Sequence, residues 1–376
     1  MLTIIENVRI YAPEDLGIQD IVFCYDTILE IGNGLSSFYP RATRIDGRGL
    51  IATPGLIDQH VHVTGGGGEG SFRTRVPELK FTDCVRAGVT TIVGVLGTDG
   101  ITRSVENLVA KTKALSEEGL TAYCLTGSYE YPTITLTGDV KKDIAFIDEV
   151  LGVKVALSDH RCSNPTKEEL IRLVSDVRMA SLISGKPGLV TMHMGRGKRN
   201  FDMVFEILDE SDLPIKHFRP THVGKLGKSI IKFAKMGGYI DFTASPNSSD
   251  AAGDILAAIK AGAPLEKITL SSDSNGSLPK WNEKNEMIGI MAASMKSLHH
   301  VLVALIQEGN MAVTDSLRLA TTNVAEALEL HTSKGRLQAG YDADLLLLDE
   351  DLNIDTVLAR GRLLMQGREL QVQDTF

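Results

Sequence analysis

Eight short apolar runs alternate with stretches of helical spacing between residues 53 and 335, and this alternation constrains the fold more than any other feature of the chain. The apolar runs are 56–62, 90–96, 121–126, 153–157, 189–193, 215–222, 239–243 and 267–272. Helical patterns lie between them, among them 104–118, 167–184, 201–210, 226–236 and 251–261, with 291–307 and 314–330 as closing helices. Parallel strands need long crossover connections, so eight strands joined by helices give the count of a (β/α)8 TIM barrel. A doubly wound open sheet is the competing architecture, but no GxGxxG opens a helix after a first strand.

The two chain ends read differently. Residues 1–52 carry short strand patterns at 3–5, 8–11, 21–23 and 28–31, broken by Gly17, Asp26 and Gly32-Asn33-Gly34, and the style returns at 344–348, 356–359 and 363–365. Neither end has enough strands to bury a face alone. The expected organisation is a small β-sandwich domain built from 1–52 and 336–376 around a catalytic barrel at 53–335. A net charge of -9 argues against a nucleic-acid surface. The absence of a membrane-length apolar run or a signal-peptide start points to a soluble, cytoplasmic protein with no membrane partner. Cys24, Cys84, Cys124 and Cys162 form no CxxC pair, which suggests neither a disulfide framework nor a cysteine-bound zinc.

In barrels of this kind reactive groups gather at the C-terminal strand ends. The first strand ends in His60-Val61-His62, and residues two apart on a strand share a face, so the pair offers half a zinc site. Lys154 is alone among apolar neighbours in the fourth strand. A buried lysine is costly unless paired, neutralised or modified, although a lysine snorkelling at the strand edge is the plainer alternative. His193 ends the fifth strand, His222 the sixth with Pro220 at its margin, and Asp273 the eighth. One such histidine is ordinarily a core residue. Five strand ends carrying metal-compatible groups in barrel order point instead to a metal centre. His160, just after the fourth strand, is a candidate supporting residue, whereas His217, His299, His300 and His331 read as structural or surface residues.

His60-x-His62, Lys154, His193, His222 and Asp273 together resemble the binuclear centre of the amidohydrolase superfamily, and the tail Gly335-Arg336-Leu337-Gln338-Ala339-Gly340-Tyr341-Asp342-Ala343-Asp344-Leu345 resembles that superfamily's return into its small β domain. The four glycines 65–68 with Glu69, the segment Gly94–Asp99, Leu125–Tyr129, Ser158-Asp159-His160-Arg161 and Ser271–Ser277 narrow the resemblance to the isoaspartyl dipeptidases. The resemblance covers essentially the whole chain. It implies two zinc ions per subunit, one held by His60, His62 and Asp273 and one by His193 and His222. Lys154, carboxylated by carbon dioxide, would bridge them. It further implies hydrolysis of β-aspartyl dipeptides by a hydroxide between the zinc ions, releasing aspartate and an amino acid. Asp273 would carry the proton and Tyr129 would face the oxyanion. Glu69, a catalytic and substrate-binding position in this reading, would take the α-ammonium. Arg161 would take a carboxylate, with Gly67, Thr98, Lys225 and Ser277 as further substrate contacts. A homo-oligomer, an octamer by resemblance, is also implied.

One position departs from the family pattern. Three residues after His222 the family carries arginine, where this chain has Lys225. Lysine keeps the charge but loses the planar fork that grips a carboxylate. Lys225→Arg is therefore expected to lower KM for β-Asp dipeptides; an unchanged or raised KM would refute that role. The segments 130–138 and 275–289 read as long polar loops suited to lids, with Pro279 and Trp281 in the second closing over substrate or packing at a subunit interface. Two other functions compete: a cyclic-amide hydrolase of the dihydroorotase or hydantoinase kind, and an inactive scaffold. Glu69 and Arg161 in their contexts favour the dipeptide over the first, and the six intact candidate ligands argue against the second.

Overall fold

Eight parallel strands form one sheet in strict chain order: β1 (Leu56–Val61), β2 (Val89–Gly94), β3 (Thr121–Thr126), β4 (Val150–Leu157), β5 (Leu189–Met194), β6 (Phe218–Thr221), β7 (Ile240–Thr243) and β8 (Ile268–Ser271). A bridge between Val61 and Ser274, with the His62 amide donating to the Ser274 carbonyl at 2.9 Å, closes β1 onto the segment after β8 and completes a TIM barrel. The computed structural model describes residues 2–195, 197–225, 227–281 and 287–375, and at Lys225, Pro279, Trp281, Met287 and Ile288 only the backbone. All eight residues of β4 and all six of β2 are buried. Strands covered on both faces have no reason to alternate, which is why they read as near-continuous apolar runs.

Local signals set the helix limits. Ser104 caps helix Val105–Glu118 by accepting from the Asn107 amide, and Thr166 with Glu169 forms a reciprocal capping box on helix Lys167–Ser184. Gly185, at φ 72°, ends the latter in the left-handed conformation.

Three expectations need correction. The helix expected over 314–330 is two short ones, Val313–Arg318 and Thr322–Ala327. Between them the carbonyls of Leu319 and Ala320 accept from the amides of Leu270 and Ile57 at 2.8 Å each, so the chain gives up helical bonds to anchor β8 and β1. The helix expected from 291 begins at Lys296. The segment before it is a strand, Met287–Ala292, paired antiparallel with Ser277–Trp281, so the expected lid loop is largely a hairpin. The strand patterns at 3–5 and 8–11 are one ten-residue strand, Leu2–Tyr11. A bulge at Asn7 interrupts it, where φ is 56° and the amide donates to Asp20.

That strand is the hub of a nine-stranded sheet made from both chain ends. Ile51–Pro54 joins the two halves by pairing with Leu2–Tyr11 on one side and Leu345–Leu348 on the other. In the four-leucine run, Leu345 and Leu347 pack with Ile5, Ile10 and Phe23 in the small core, while Leu346 and Leu348 pack against the barrel core. Buried Lys334 fixes the same junction, its ammonium 2.5 Å from Asp344, 2.7 Å from Asp342 and 2.6 Å from Thr121 of β3. The two aspartates of the tail motif thus act as counter-ions to one buried lysine.

Candidate metal centre and substrate pocket

The strand ends bring the six candidate ligands into one buried cluster. His60 Nε2 lies 3.5 Å and His62 Nε2 3.0 Å from Asp273 Oδ1, and these three side chains offer one ligand atom each, all within 4.8 Å of one another. Lys154 Nζ lies 2.7 Å from His60 Nε2. The His60 and His222 rings are 5.0 Å apart and the His222 and His193 rings 4.4 Å. His222 and Asp273 both have left-handed backbones, at φ 63° and 51°. Side chains with a Cβ adopt this region at a cost, and such strain concentrates where position matters more than local comfort.

The electrostatics suit metal ions. Among the described residues, His60 Nδ1, His62 Nδ1 and His222 Nε2 are buried without a hydrogen-bond partner. A buried orphan nitrogen is costly unless something binds the ring. Burial, with the Lys154 charge second, holds His60 well below the usual histidine range. Burial also lowers His222 and takes His193 down to about 4. The rings are therefore neutral, as metal ligands must be. Burial likewise lowers the Lys154 ammonium to about 7, leaving much of it as free amine at neutral pH. Asp273 stays ionised: burial raises its carboxyl, but His222, His62 and His60 together hold it well below the usual range. The donor set fits a pair of divalent ions.

A hydrogen-bonded frame orients these groups. His222 Nδ1 meets Thr243 Oγ1 at 2.7 Å, which leaves Nε2 available. His193 Nε2 lies 3.0 Å from Arg161 Nη2 and 3.3 Å from Asp159 Oδ2, while the Tyr129 hydroxyl lies 2.7 Å from its Nδ1. A carboxylate behind a ligand histidine fixes both tautomer and ring orientation. Asp159 also receives the Arg161 guanidinium at 2.9 Å, so one carboxylate links the cluster to the candidate substrate side. Burial would raise the Asp159 carboxyl, but hydrogen bonds from His193 and Arg161 hold it far below the ordinary range.

The candidate substrate side is built around Glu69. Its Oε1 accepts from Arg161 Nη1 at 2.9 Å and Thr98 Oγ1 at 2.7 Å, and its Oε2 from Ser277 Oγ at 3.3 Å. The preceding loop must be glycine-rich. At Gly67, φ is 80° and a Cβ would meet the Thr74 carbonyl oxygen at 2.2 Å; at Gly65 one would meet that of Val76 at 2.0 Å. Buried Arg103 stitches this loop together through the carbonyls of Thr64, Gly66 and Val76.

Gly67, Glu69, Thr98, Tyr129, Arg161 and Ser277 are thus gathered beside the candidate ligand cluster, and Lys225 lies on the 3-10 turn after β6 with its side chain outside the described residues. His160 does not join them. Its side chain is 85% exposed, 3.5 Å from Asp159, because the left-handed turn at Ser158 sends it outward. Sequence reasoning missed Asp58, Asp159 and Asp241 as buried supports. Asp58 accepts from the amides of His60 and Ser272 and from the Ser272 hydroxyl, and burial lifts its carboxyl to about 7. Burial also raises the Asp241 carboxyl, opposed by hydrogen bonds from Ser271, Thr221, Gln59 and Thr269. A lone acid in the apolar run 239–243 is the same signal that marked Lys154, and it would have found Asp241.

Residues 203–364 match the amidohydrolase family. A crystal structure of the β-aspartyl dipeptidase of the thermophilic, keratin-degrading Fervidobacterium islandicum AW-1, in complex with the dipeptide β-Asp-Leu, superposes with a TM-score of 0.92 at 42% identity over 100% of both chains. A second structure from that organism gives 0.91 at 40%, again over all of both chains. The dihydropyrimidinase of Brevibacillus agri NCHU1002 shares the fold alone, with a TM-score of 0.69 at 17% identity over 99% of this chain and 96% of the other. With this depth of identity along its whole length, the chain belongs to the β-aspartyl dipeptidase family of amidohydrolases.

Proposed function

We propose that this enzyme hydrolyses β-aspartyl dipeptides at a two-zinc centre, releasing aspartate and an amino acid. One observation carries the substrate assignment: the Glu69–Arg161 ion pair standing beside the ligand cluster. A β-linked aspartyl residue keeps its α-ammonium and α-carboxylate free on one carbon, with the scissile amide two carbons away. Glu69 and Arg161 present the complementary charges side by side, so the zwitterion replaces each partner of the pair with the matching ionic group. An α-linked dipeptide has spent its α-carboxyl in the peptide bond and cannot make the same exchange.

His60, His62 and Asp273 would hold one zinc ion, and His193 and His222 the other. Lys154 would join the two after its free amine adds to carbon dioxide and loses a proton, giving a carbamate anion where an ammonium was costly. Bound there, two zinc ions supply a water of lowered pKa and polarise the scissile carbonyl. The ionised Asp273 takes the proton of the attacking water and returns it to the leaving amine. Burial raises the Tyr129 hydroxyl well above its usual range, so it remains a donor for the developing oxyanion. Arg161 is held on Asp159 as well as Glu69, which keeps the guanidinium aligned while substrate enters.

Among the described residues no helix is long and apolar enough to cross a membrane. The family resemblance supports a homo-octamer. Exposed Phe72, Ile101, Phe146, Leu182 and Ile183 are apolar side chains that subunit contacts would cover.

The test is to assay zinc-loaded protein on β-Asp-Leu and α-Asp-Leu side by side. Cleavage of the β-isomer alone is expected. Equal cleavage would remove the Glu69–Arg161 argument, and no cleavage with two metals bound would redirect the search to cyclic amides.

A further inference from the structure

Strand β7 carries no candidate metal ligand and no candidate substrate contact, yet it holds the most heavily hydrogen-bonded carboxylate among the described residues of the barrel interior. Asp241 is 7% exposed. Its Oδ1 accepts from Gln59 Nε2 at 2.7 Å and Thr269 Oγ1 at 2.9 Å, and its Oδ2 from Thr221 Oγ1 at 2.7 Å and Ser271 Oγ at 2.6 Å. The donors come from three strands other than its own, and each of those strands carries a candidate ligand. Gln59 precedes His60 on β1, Thr221 precedes His222 on β6, and Ser271 lies two residues before Asp273 on β8. A cavity of about 20 Å³, lined in part by Gln59, Thr221, Asp241 and Thr269, has His60 of the candidate ligand cluster in its wall and so sets this network beside it.

The donors are all neutral, and no ion pair among the described residues includes Asp241. Arg219 lines the same cavity, but its guanidinium bonds the Ala327 carbonyl and stacks on Tyr239 at 4.6 Å. Accepting from four donors takes all the lone-pair sites of an ionised carboxylate, whereas an amide offers only two. Burying a carboxylate without a partner cation is expensive. Cations beside the network would offset that cost, and the ligand set leaves them undercompensated. Two divalent ions carry four positive charges, against one negative charge on Asp273 and one on a carboxylated Lys154, with neutral histidines making up the rest.

We propose that Asp241 is a positioning residue of the metal centre, joining the β1, β6 and β8 ligand strands through one carboxylate and supplying buried negative charge beneath the ions. This rests on the reading of the cluster as a two-metal centre, and it separates two contributions, geometry and charge. Asp241→Asn is nearly isosteric, and the Thr221, Thr269 and Ser271 hydroxyls can rotate to accept from the amide, so the variant removes chiefly the charge. Thr221→Val and Ser271→Ala keep the charge and each remove one tie.

The experiment measures zinc affinity by chelator competition and zinc content after dialysis on all four full-length proteins, with thermal melts of the metal-free forms. Expected are metal-free melts close to wild type and about a 10- to 100-fold loss of zinc affinity in Asp241→Asn, the scale of lost support to metal ligands. A smaller loss is expected in each hydroxyl variant. Excess zinc should restore kcat in Asp241→Asn with KM unchanged, which a merely destabilised barrel would not show. Wild-type zinc affinity in Asp241→Asn overturns the charge role. Should that variant not fold, wild-type affinity in both hydroxyl variants overturns the positioning role. Failure of the wild type itself to bind zinc would instead remove the metal-centre reading on which the proposal stands.

Discussion

Lys154→Ala should lower turnover of β-Asp-Leu by at least about 10³-fold and leave fewer than two zinc ions per subunit, with the barrel still folded. A metal ion acting as Lewis acid and water activator supplies several kcal/mol, and about 4 kcal/mol corresponds to roughly three powers of ten in rate. Lys154 is the one proposed ligand between the two halves of the cluster, so its loss should affect both ions. The fold should survive because the side chain donates to no backbone group; its polar contact is His60 Nε2 at 2.7 Å. Stability of the metal-free protein gives an independent check. In the folded protein the ammonium is lowered from 10.5 to about 7, so between those values the unfolded chain binds more protons at this residue than the native one. The wild type therefore gains stability relative to Lys154→Ala as pH rises from 7 towards 10.5, and loses that advantage on acidification. A difference between the two melting profiles that does not depend on pH would mean that Lys154 is not a buried free amine. Carboxylation has its own readout: reconstitution of metal-free wild type with zinc should be slow in buffer stripped of carbon dioxide and fast when bicarbonate is added. Equal rates would exclude the carbamate.

The cluster was legible because its chemistry is rare in its setting. Histidines, a lysine and an aspartate at the ends of apolar strands cannot be accounted for by packing, and the barrel brings all strand ends to one face whatever the loops do. The apolar pattern likewise located every barrel strand, since strands buried on both sides leave near-continuous runs such as Val150–Leu157. Contacts set by register between distant strands were not legible. Asp241 draws its importance from Gln59, Thr221, Thr269 and Ser271, and no spacing within the chain announces that they meet. The break between Val313–Arg318 and Thr322–Ala327 has the same origin, because its carbonyls are taken by amides of β1 and β8. His160 shows the converse error. Proximity in sequence to a site residue says little once the strand has ended, and the left-handed turn at Ser158 sets its direction. In the hairpin Ser277–Trp281 and Met287–Ala292, length and polarity suggested a loop, whereas the pairing is stabilised by the partner strand rather than by local propensity.

Glu69→Gln should reduce kcat/KM for β-Asp-Leu by about 10²-fold while leaving zinc content at the wild-type level. Removing one partner of a hydrogen-bonded charge pair costs about 2–5 kcal/mol when the site is closed from water. Glu69 is 32% exposed, so the lower end of that range applies, and about 2.7 kcal/mol corresponds to 10²-fold. Glutamine keeps the shape and can still accept from Thr98 and Ser277, so the loss isolates the charge. Glu69 is also ionised throughout the working range: burial raises its carboxyl, but hydrogen bonds from Thr98 and Arg161 bring it below the usual value. An acid limb in the wild-type pH profile therefore should not belong to this group, and that limb should persist in the variant. Selectivity gives the sharper result. The wild type should reject β-Asp-Leu acetylated on its α-amine, because the neutral amide leaves Glu69 without its ammonium and keeps the carboxylate on Arg161 and Thr98. Glutamine has no charge to leave unpaired, so the ratio of free to acetylated substrate should collapse towards unity in Glu69→Gln. If that ratio stays at the wild-type value, Glu69 does not bind the ammonium, and the ion pair with Arg161 serves only to hold the loop.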